Sequence, residues 1–263
     1  MKLKFYLFIL IHLTFCLYAQ VPNSAERALN YHKKLVLHHL NQGVKVWNKW
    51  LHARRRIETM IWKVQLENKI LNGIDLSAVR ILVSTFVNIK FKKSNFNKTR
   101  FFRNKTINTD FSFSHFSYSD MSGIFIKTKF NCVKFYKTEV GSYFLNCIFD
   151  FSHLTNCEIG RNFRNCSFKD VKFIDTKIES GSTFEECIFT NAVFKNIVII
   201  HVPGLSETKF QSCNFTHADF SGAVTLNNAL FIDCDFNGAK VERKWFNYLK
   251  TQKVKNFDKI RWQ

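Results

Sequence analysis

Five cysteines, Cys147, Cys166, Cys187, Cys213 and Cys234, each begin a Cys-x-Phe triplet, at steps of 19, 21, 26 and 21 residues. Thiols repeated so evenly could line up as a redox or metal column. If one step is one turn of a coil, neighbouring rungs lie ~4.8 Å apart. That falls inside the roughly 4.4–6.8 Å Cα separation a disulfide spans, although parallel side chains make its torsion awkward. The competing reading is that cysteine serves as a small apolar core residue. Cys157 belongs to a different side and Cys132 is off the small-residue slot. No short C-x-x-C pair exists, so there is no zinc signature. Cys16 lies in the leader described below, which leaves an odd number of thiols that cannot all pair within the chain.

Other chemistry-bearing residues are scattered. His115, His153 and His217 fall at outward-facing slots, and His38 with His39 lacks a matching acid or cysteine cluster. Arg54-Arg55-Arg56, with Trp47, Trp50 and Trp62 nearby, could bind phosphate or a membrane face, or form a solvated helix face. Four N-x-S/T sequons occur, at Asn97, Asn104, Asn165 and Asn214. Glu185-Glu186 reads as a solvated corner. No nucleophile–base set, Gly-rich phosphate loop or paired-carboxylate motif is visible. The expectation is a chain without enzymatic activity, with no catalytic, metal or cofactor-binding residue and no small-molecule substrate.

The elements that position these residues are written in a five-residue rhythm. Phe125, Phe130, Phe135 and Val140 are followed by Phe144, Phe149, Leu154 and Ile159, then by Phe163, Phe168, Phe173 and Ile178. Two residues before most of them sits something small: Thr128, Ser142, Ser152, Val171, Ala192, Ala218 or a ladder cysteine. A period of five is neither 3.6 nor 2, so neither an amphipathic helix nor a flat strand accounts for it. A short period repeated this often predicts a solenoid. Leading phenylalanines at 125, 144, 163, 184, 210 and 231 mark a unit near 20 residues, four pentads to a coil. The slips fall at about the same point of each turn, as expected if one corner tolerates insertions. The span 76–241 predicts roughly eight coils and ~38 Å of stacking.

The flanks differ. Residues 1–19 read as a secretory signal, with Lys2 and Lys4, an apolar Phe5–Leu17 stretch and a small Ala19 before Gln20. The apolar stretch is shorter than the ~20 residues that span a bilayer, and an uncleaved membrane anchor is the alternative. Residues 20–72 read as a helical cap region. A first helix pair is broken at Asn41-Gln42-Gly43, and a second helical stretch runs from Ala53 to Ile70 on Ile57, Ile61 and Val64. Residues 73–241 carry the repeats. Residues 242–263 form a C-terminal helical cap and tail, with Trp245, Phe246 and Leu249 over the last coil. Formal net charge is +19, and more than half of it lies in the two flanks. A basic chain suits anionic partners, or simply solubility.

Phe210-Gln211-Ser212-Cys213-Asn214-Phe215 and Phe231-Ile232-Asp233-Cys234-Asp235-Phe236 resemble the pentapeptide-repeat family, A-(D/N)-L-x-x, in a Phe- and Cys-rich form. Entry through Ile74-Asp75-Leu76-Ser77-Ala78 is similar to the family's usual first repeat. Gln42–Trp50 resembles the helical segment that often precedes it in bacterial members. The resemblance implies an all-β solenoid, a right-handed quadrilateral β-helix with an α-helical N-terminal segment and a C-terminal capping helix. Ile89 in a small-residue slot and Thr106 in a large one depart from the pattern.

The functional expectation is an exported, periplasmic or secreted, scaffold that binds an unknown protein partner. The alternative is nucleic-acid or anionic-surface binding through the basic flanks. Some members of the family mimic B-form DNA and protect gyrase. That mechanism needs a strongly acidic, cytosolic rod, and this chain is basic.

Overall fold

The computed structural model describes residues 23–54 and 59–263, with side chains from Glu26 onward. The leader expected at 1–19, together with Arg55, Arg56 and Ile57, lies outside the described residues.

Two helices come first, α1 (Asn23–Asn41) and α2 (Val44–Ala53). Gly43 between them has φ 97°, a left-handed conformation that glycine adopts without a Cβ penalty. Val36, Leu40, Trp47 and Leu51 recur at helical spacing and are buried. The chain then winds into a right-handed quadrilateral β-helix of about 10 turns, all of whose strand pairs are parallel. Each coil supplies four large inward residues, and these stack into four straight columns.

The first column is mostly aliphatic: Ile61, Ile81, Phe101, Met121, Val140, Ile159 and Ile178. The second runs Leu66, Phe86, Thr106, Phe125, Phe144, Phe163, Phe184, Phe210 and Phe231. Phe111, Phe130, Phe149, Phe168 and Phe189 belong to the third, and Phe116, Phe135, Leu154, Phe173 and Phe194 to the fourth. Rings within a column lie face to face. Phe144 and Phe163 are 4.7 Å apart at 9°, and Phe168 and Phe189 are 4.9 Å apart at 4°. Such contacts add ~0.5–1.5 kcal/mol per pair beyond burial.

Two residues after each large one the chain turns. The turning residue takes positive φ at nearly every corner: Asn68, Asn88, Asn108, Asn146, Asn156, Asn165 and many others. Asparagine is favoured there because its short amide tolerates the left-handed region. It also bonds its equivalent in the next coil. Asn88 Nδ2 donates to Asn68 Oδ1 at 2.8 Å, and Asn108 Nδ2 to Asn88 Oδ1 at 2.7 Å.

The register slips gather at one corner, between the first and second columns. The spacing there is five at Phe101–Thr106 and four at Met121–Phe125, Val140–Phe144 and Ile159–Phe163. It widens to six at Ile178–Phe184 and eleven at Ile199–Phe210, whose loop 201–207 is exposed. Where the spacing is four the corner is tight, and Arg161 there still takes φ 76°. The strands Asp120–Ile126, Glu139–Leu145 and Glu158–Arg164 continue across the corner. Gly123 sits in this bend, and a Cβ there would meet the Asn104 carbonyl oxygen at 2.6 Å.

Two expectations are corrected. The second helical stretch, Ala53 to Ile70, is not helical beyond Ala53 among its described residues. Residues 60–62 and 65–67 are strands, and the solenoid starts there rather than at 73. Ile61, Leu66, Leu71 and Leu76 are five apart with Val64 in a small slot, so this segment pairs with the next coil. An i, i+4 and a five-residue pattern are hard to separate over so few residues. The tail is likewise only partly a cap. A 3-10 turn (Arg243–Trp245) and helix α3 (Phe246–Thr251) cross the end of the rod. Lys255 then pairs with Asp235, and Arg261–Trp262 with Lys240–Val241, which begins a further coil. These additions account for a rod longer than the eight coils expected.

Both ends are covered. At the first coil Trp47 Nε1 donates to the Asp75 carbonyl at 2.7 Å, while Asn48 accepts from Asp75 N and donates to the Gly73 carbonyl. These bonds occupy backbone groups that an open edge would leave unpaired. His52 Nε2 lies 2.7 Å from Asp75 Oδ2. Burial works to raise the Asp75 carboxyl, but hydrogen bonds from Ser77 and His52 outweigh it and hold it below its ordinary value. At the other end Leu249 is buried, Trp245 packs on the core, and Tyr248 donates to the Ala229 carbonyl.

Candidate interaction surface

The ladder thiols stack in one inner column as their spacing predicts, and all are buried. Each Sγ faces a backbone carbonyl one coil back: Cys147 to Phe125, Cys166 to Phe144, Cys187 to Phe163, Cys213 to Phe184 and Cys234 to Phe210, at 3.1–3.6 Å. Hydroxyls do the same in other small slots. Ser114 donates to Phe91 O at 2.8 Å, and Thr176 to Leu154 O at 3.0 Å. The column therefore serves packing and carbonyl satisfaction. Burial pushes the Cys147 thiol up, and that of Cys157, in another small column, up to about 11. Neither is a ready nucleophile. Cys132 stands at a corner with φ 56°, half-exposed.

The remaining candidates are dispersed. His38 and His39 meet edge to face at 5.3 Å, and His39 stacks on Trp50 at 4.6 Å. No group of His, Cys, Asp or Glu among the described residues could hold a metal ion. The Arg54 guanidinium lies 5.0 Å above Trp50, and Lys63 covers Trp62 at 4.5 Å. Asn104 is buried, donating to Ile81 O and accepting from Ser84 N, so the folded chain cannot present it as a glycan acceptor. Asn165 is exposed at a corner. Glu186 is also an exposed corner residue, and Glu185 pairs with Arg164 at 3.5 Å.

With the interior given over to packing, what the chain can present is its outer faces. On the face outside the second column, Val87, Ile107, Ile126 and Leu145 stack in register, with Ile124 and Tyr143 alongside. Ile124 and Tyr143 are 43% and 40% exposed. On the face outside the first column, Asp120, Glu139 and Glu158 line up, with Arg100 before them and Lys177 after. Burial, and then Glu139, raises the Asp120 carboxyl to about 6, against the pull of Arg100.

The face outside the fourth column is a separate five-stranded sheet of His115–Ser117, Lys134–Tyr136, His153–Thr155, Lys172–Ile174 and Val193–Lys195. Its leading outward residues form an exposed basic stripe, His115, Lys134, His153 and Lys172. Burial, then Lys172 and Lys134, lower the His153 imidazole below its usual value. Aromatic residues edge this stripe. Phe113 and Phe151 occupy corners on one side, and Tyr118 a corner on the other beside Tyr136. The phenylalanines were legible as off-register, two places after Phe111 and Phe149. In a chain with 30 Phe that signal is easily read as more core.

Residues 202–241 match the family model described as pentapeptide repeats (9 copies). No curated protein matches the sequence. Among solved structures, similar folds include HetL, a pentapeptide repeat protein involved in heterocyst differentiation regulation from the cyanobacterium Nostoc sp. strain PCC 7120. Identity is 14%, the TM-score is 0.44, and 73% of this chain and 83% of that one are covered. Full-length QnrB1, a plasmid-mediated fluoroquinolone resistance protein, aligns at 18% identity and TM-score 0.37 over 73% and 98% of the two chains. Rfr23 from the cyanobacterium Cyanothece 51142 aligns at 11% and TM-score 0.21 over 58% and 97%. Pentads are wound four to a coil, small and large residues stack in separate inner columns, and residues 202–241 match the family model, so the chain carries pentapeptide repeats and is similar to the pentapeptide-repeat proteins.

Proposed function

We propose that this protein is an exported, non-enzymatic scaffold that holds a protein partner against an outer face of its solenoid. The observation that carries the reading is the apolar strip Val87–Ile107–Ile126–Leu145 with Ile124 and Tyr143. It lies on the outside of strands whose inner sides already fill the core. In-register apolar residues on a rigid sheet, Ile124 and Tyr143 exposed and the other four half-buried, suit docking of another surface. The signal-like residues 1–19 support export. Gyrase protection by DNA mimicry finds little support here. Arg80, Arg100, Lys134 and Lys172 interrupt the outer columns, and a continuous acidic surface does not form.

The test places a photoreactive amino acid at Tyr143 in native cells. One discrete protein adduct is expected, lost when Ile126→Thr and Leu145→Thr are introduced, with the mature chain starting at Gln20 outside the cytoplasm. A turnover activity that depends on a single side chain would overturn the reading. So would an adduct indifferent to those substitutions.

A further inference from the structure

The sheet outside the fourth column carries a second, separate feature at its corners. A left-handed corner is cheapest with Gly, Asn or Asp, and a bulky side chain there is strained by roughly 1–2 kcal/mol. The corner column containing Phe113 and Phe151 uses Gly73, Asp170, Asn191 and Gly238 at some levels and Lys93, Cys132 and His217 at others. Here it places two phenylalanines at φ 65° and 62°, 50% and 56% exposed. Tyr118, at φ 57° and 55% exposed, does the same on the opposite edge. Each of these residues gives up backbone comfort and leaves a ring in water. Tyr118 recovers part of this by packing edge to face on Tyr136.

Between the two aromatic edges run His115, Lys134 and His153, followed by Lys172 one coil on. The Lys137 ammonium lies 5.5 Å from both the Tyr118 and the Tyr136 ring. Over the three coils that hold the aromatic residues the outward strand positions carry no carboxylate, and Asp150, at the corner beside Phe151, is engaged with Ser167 Oγ and Lys169 N of the next coil. Beyond them the edges change to Asp170, Asn191, Asp175 and Asn196, which ends the patch.

We infer that this basic sheet with aromatic edges docks on an anionic lipid bilayer, its corner rings entering the headgroup region while the lysines meet lipid phosphates. Phenylalanine and tyrosine beside lysine is the composition of membrane-interface surfaces, where each lysine near an anionic leaflet contributes about 1 kcal/mol. Single-stranded nucleic acid fits the same charge less well. Tyr118 and Tyr136 pack edge to face, at 5.6 Å and 86°, and so offer no run of parallel rings for successive bases. Among the described residues no helix is long and apolar enough to cross a membrane, and surface docking needs none. The site shares no residue with the apolar strip proposed for a protein partner and does not depend on it.

The experiment is co-sedimentation of the full chain with phosphatidylcholine vesicles, with and without phosphatidylglycerol. Its key variants are Phe113→Asn with Phe151→Asn, and Lys134→Ser with Lys172→Ser. Asparagine suits these corners, so the first pair should fold at least as well as the parent, which a thermal melt checks. The parent is expected to sediment with anionic vesicles only, less so at high salt. Either double variant should weaken partitioning roughly tenfold, while Ile126→Thr with Leu145→Thr leaves it unchanged. The inference is overturned if the parent ignores anionic vesicles, or if both double variants bind like it. It is also overturned if a single-stranded oligonucleotide binds more tightly and displaces the vesicles.

Discussion

The Cys187 thiol faces the Phe163 carbonyl at 3.5 Å, one coil back, and so fills a role that serine and threonine fill in neighbouring columns. The ladder is thus a set of small donors chosen to fit. Cys187→Ser keeps the donor and should change the denaturation midpoint little, by less than about 1 kcal/mol. Cys187→Leu overfills the slot between Phe184 and Phe189 and should cost about 1–3 kcal/mol. Urea titrations followed by circular dichroism compare the two.

Thiol labelling should separate Cys132 from the ladder. Cys132 is half-exposed at its corner, whereas Cys147, Cys166, Cys187, Cys213 and Cys234 are buried. Brief alkylation of the native protein, followed by peptide mass spectrometry, is expected to modify Cys132 and spare those five until denaturant is added. Early modification of Cys187 would mean that the coils open locally.

Val83 is a β-branched residue at a left-handed corner, with φ 51°. Asn68 and Asn88 hold the equivalent position at the next corner of their own coils. Val83→Asn should raise the thermal midpoint, by about 1 kcal/mol of relieved strain.

Thr106 stands in the second column between Phe86 and Phe125, with its Oγ1 buried and unpaired. Thr106→Val keeps the shape and removes the unmet hydroxyl. It should stabilise the chain by about 1 kcal/mol, read as a shift in the urea midpoint.

Asp120 gives stability a pH dependence of known sign. Its pKa rises from 3.8 to about 6 because of burial and Glu139. The folded chain therefore holds this proton more tightly than the unfolded chain. The contribution is fully present below pH ~4 and is lost as the pH rises through about 6. Asp120→Asn should be more stable than the parent at pH 7.5, by on the order of 2 kcal/mol, and close to it at pH 4. Melts across that range check it, and equal curves at both ends would refute the assignment.

The five-residue rhythm determined the solenoid by itself. A large residue every fifth position with a small one two places earlier can bury both only by winding four pentads to a coil, so Phe144, Phe163 and the ladder cysteines were placed by spacing alone. Tertiary pairing decided the rest. Ile61 and Val64 suit a helix as well as a coil over so short a segment, and only their register against Ile81 and Ser84 selects the strand. Lys255 joins the rod because Asp235 offers it an edge. The aromatic edges and the basic stripe became one face only when residues near 115, 134 and 153, about twenty apart in the chain, were brought side by side. Periodicity is local and legible, whereas adjacency between coils depends on where each corner falls.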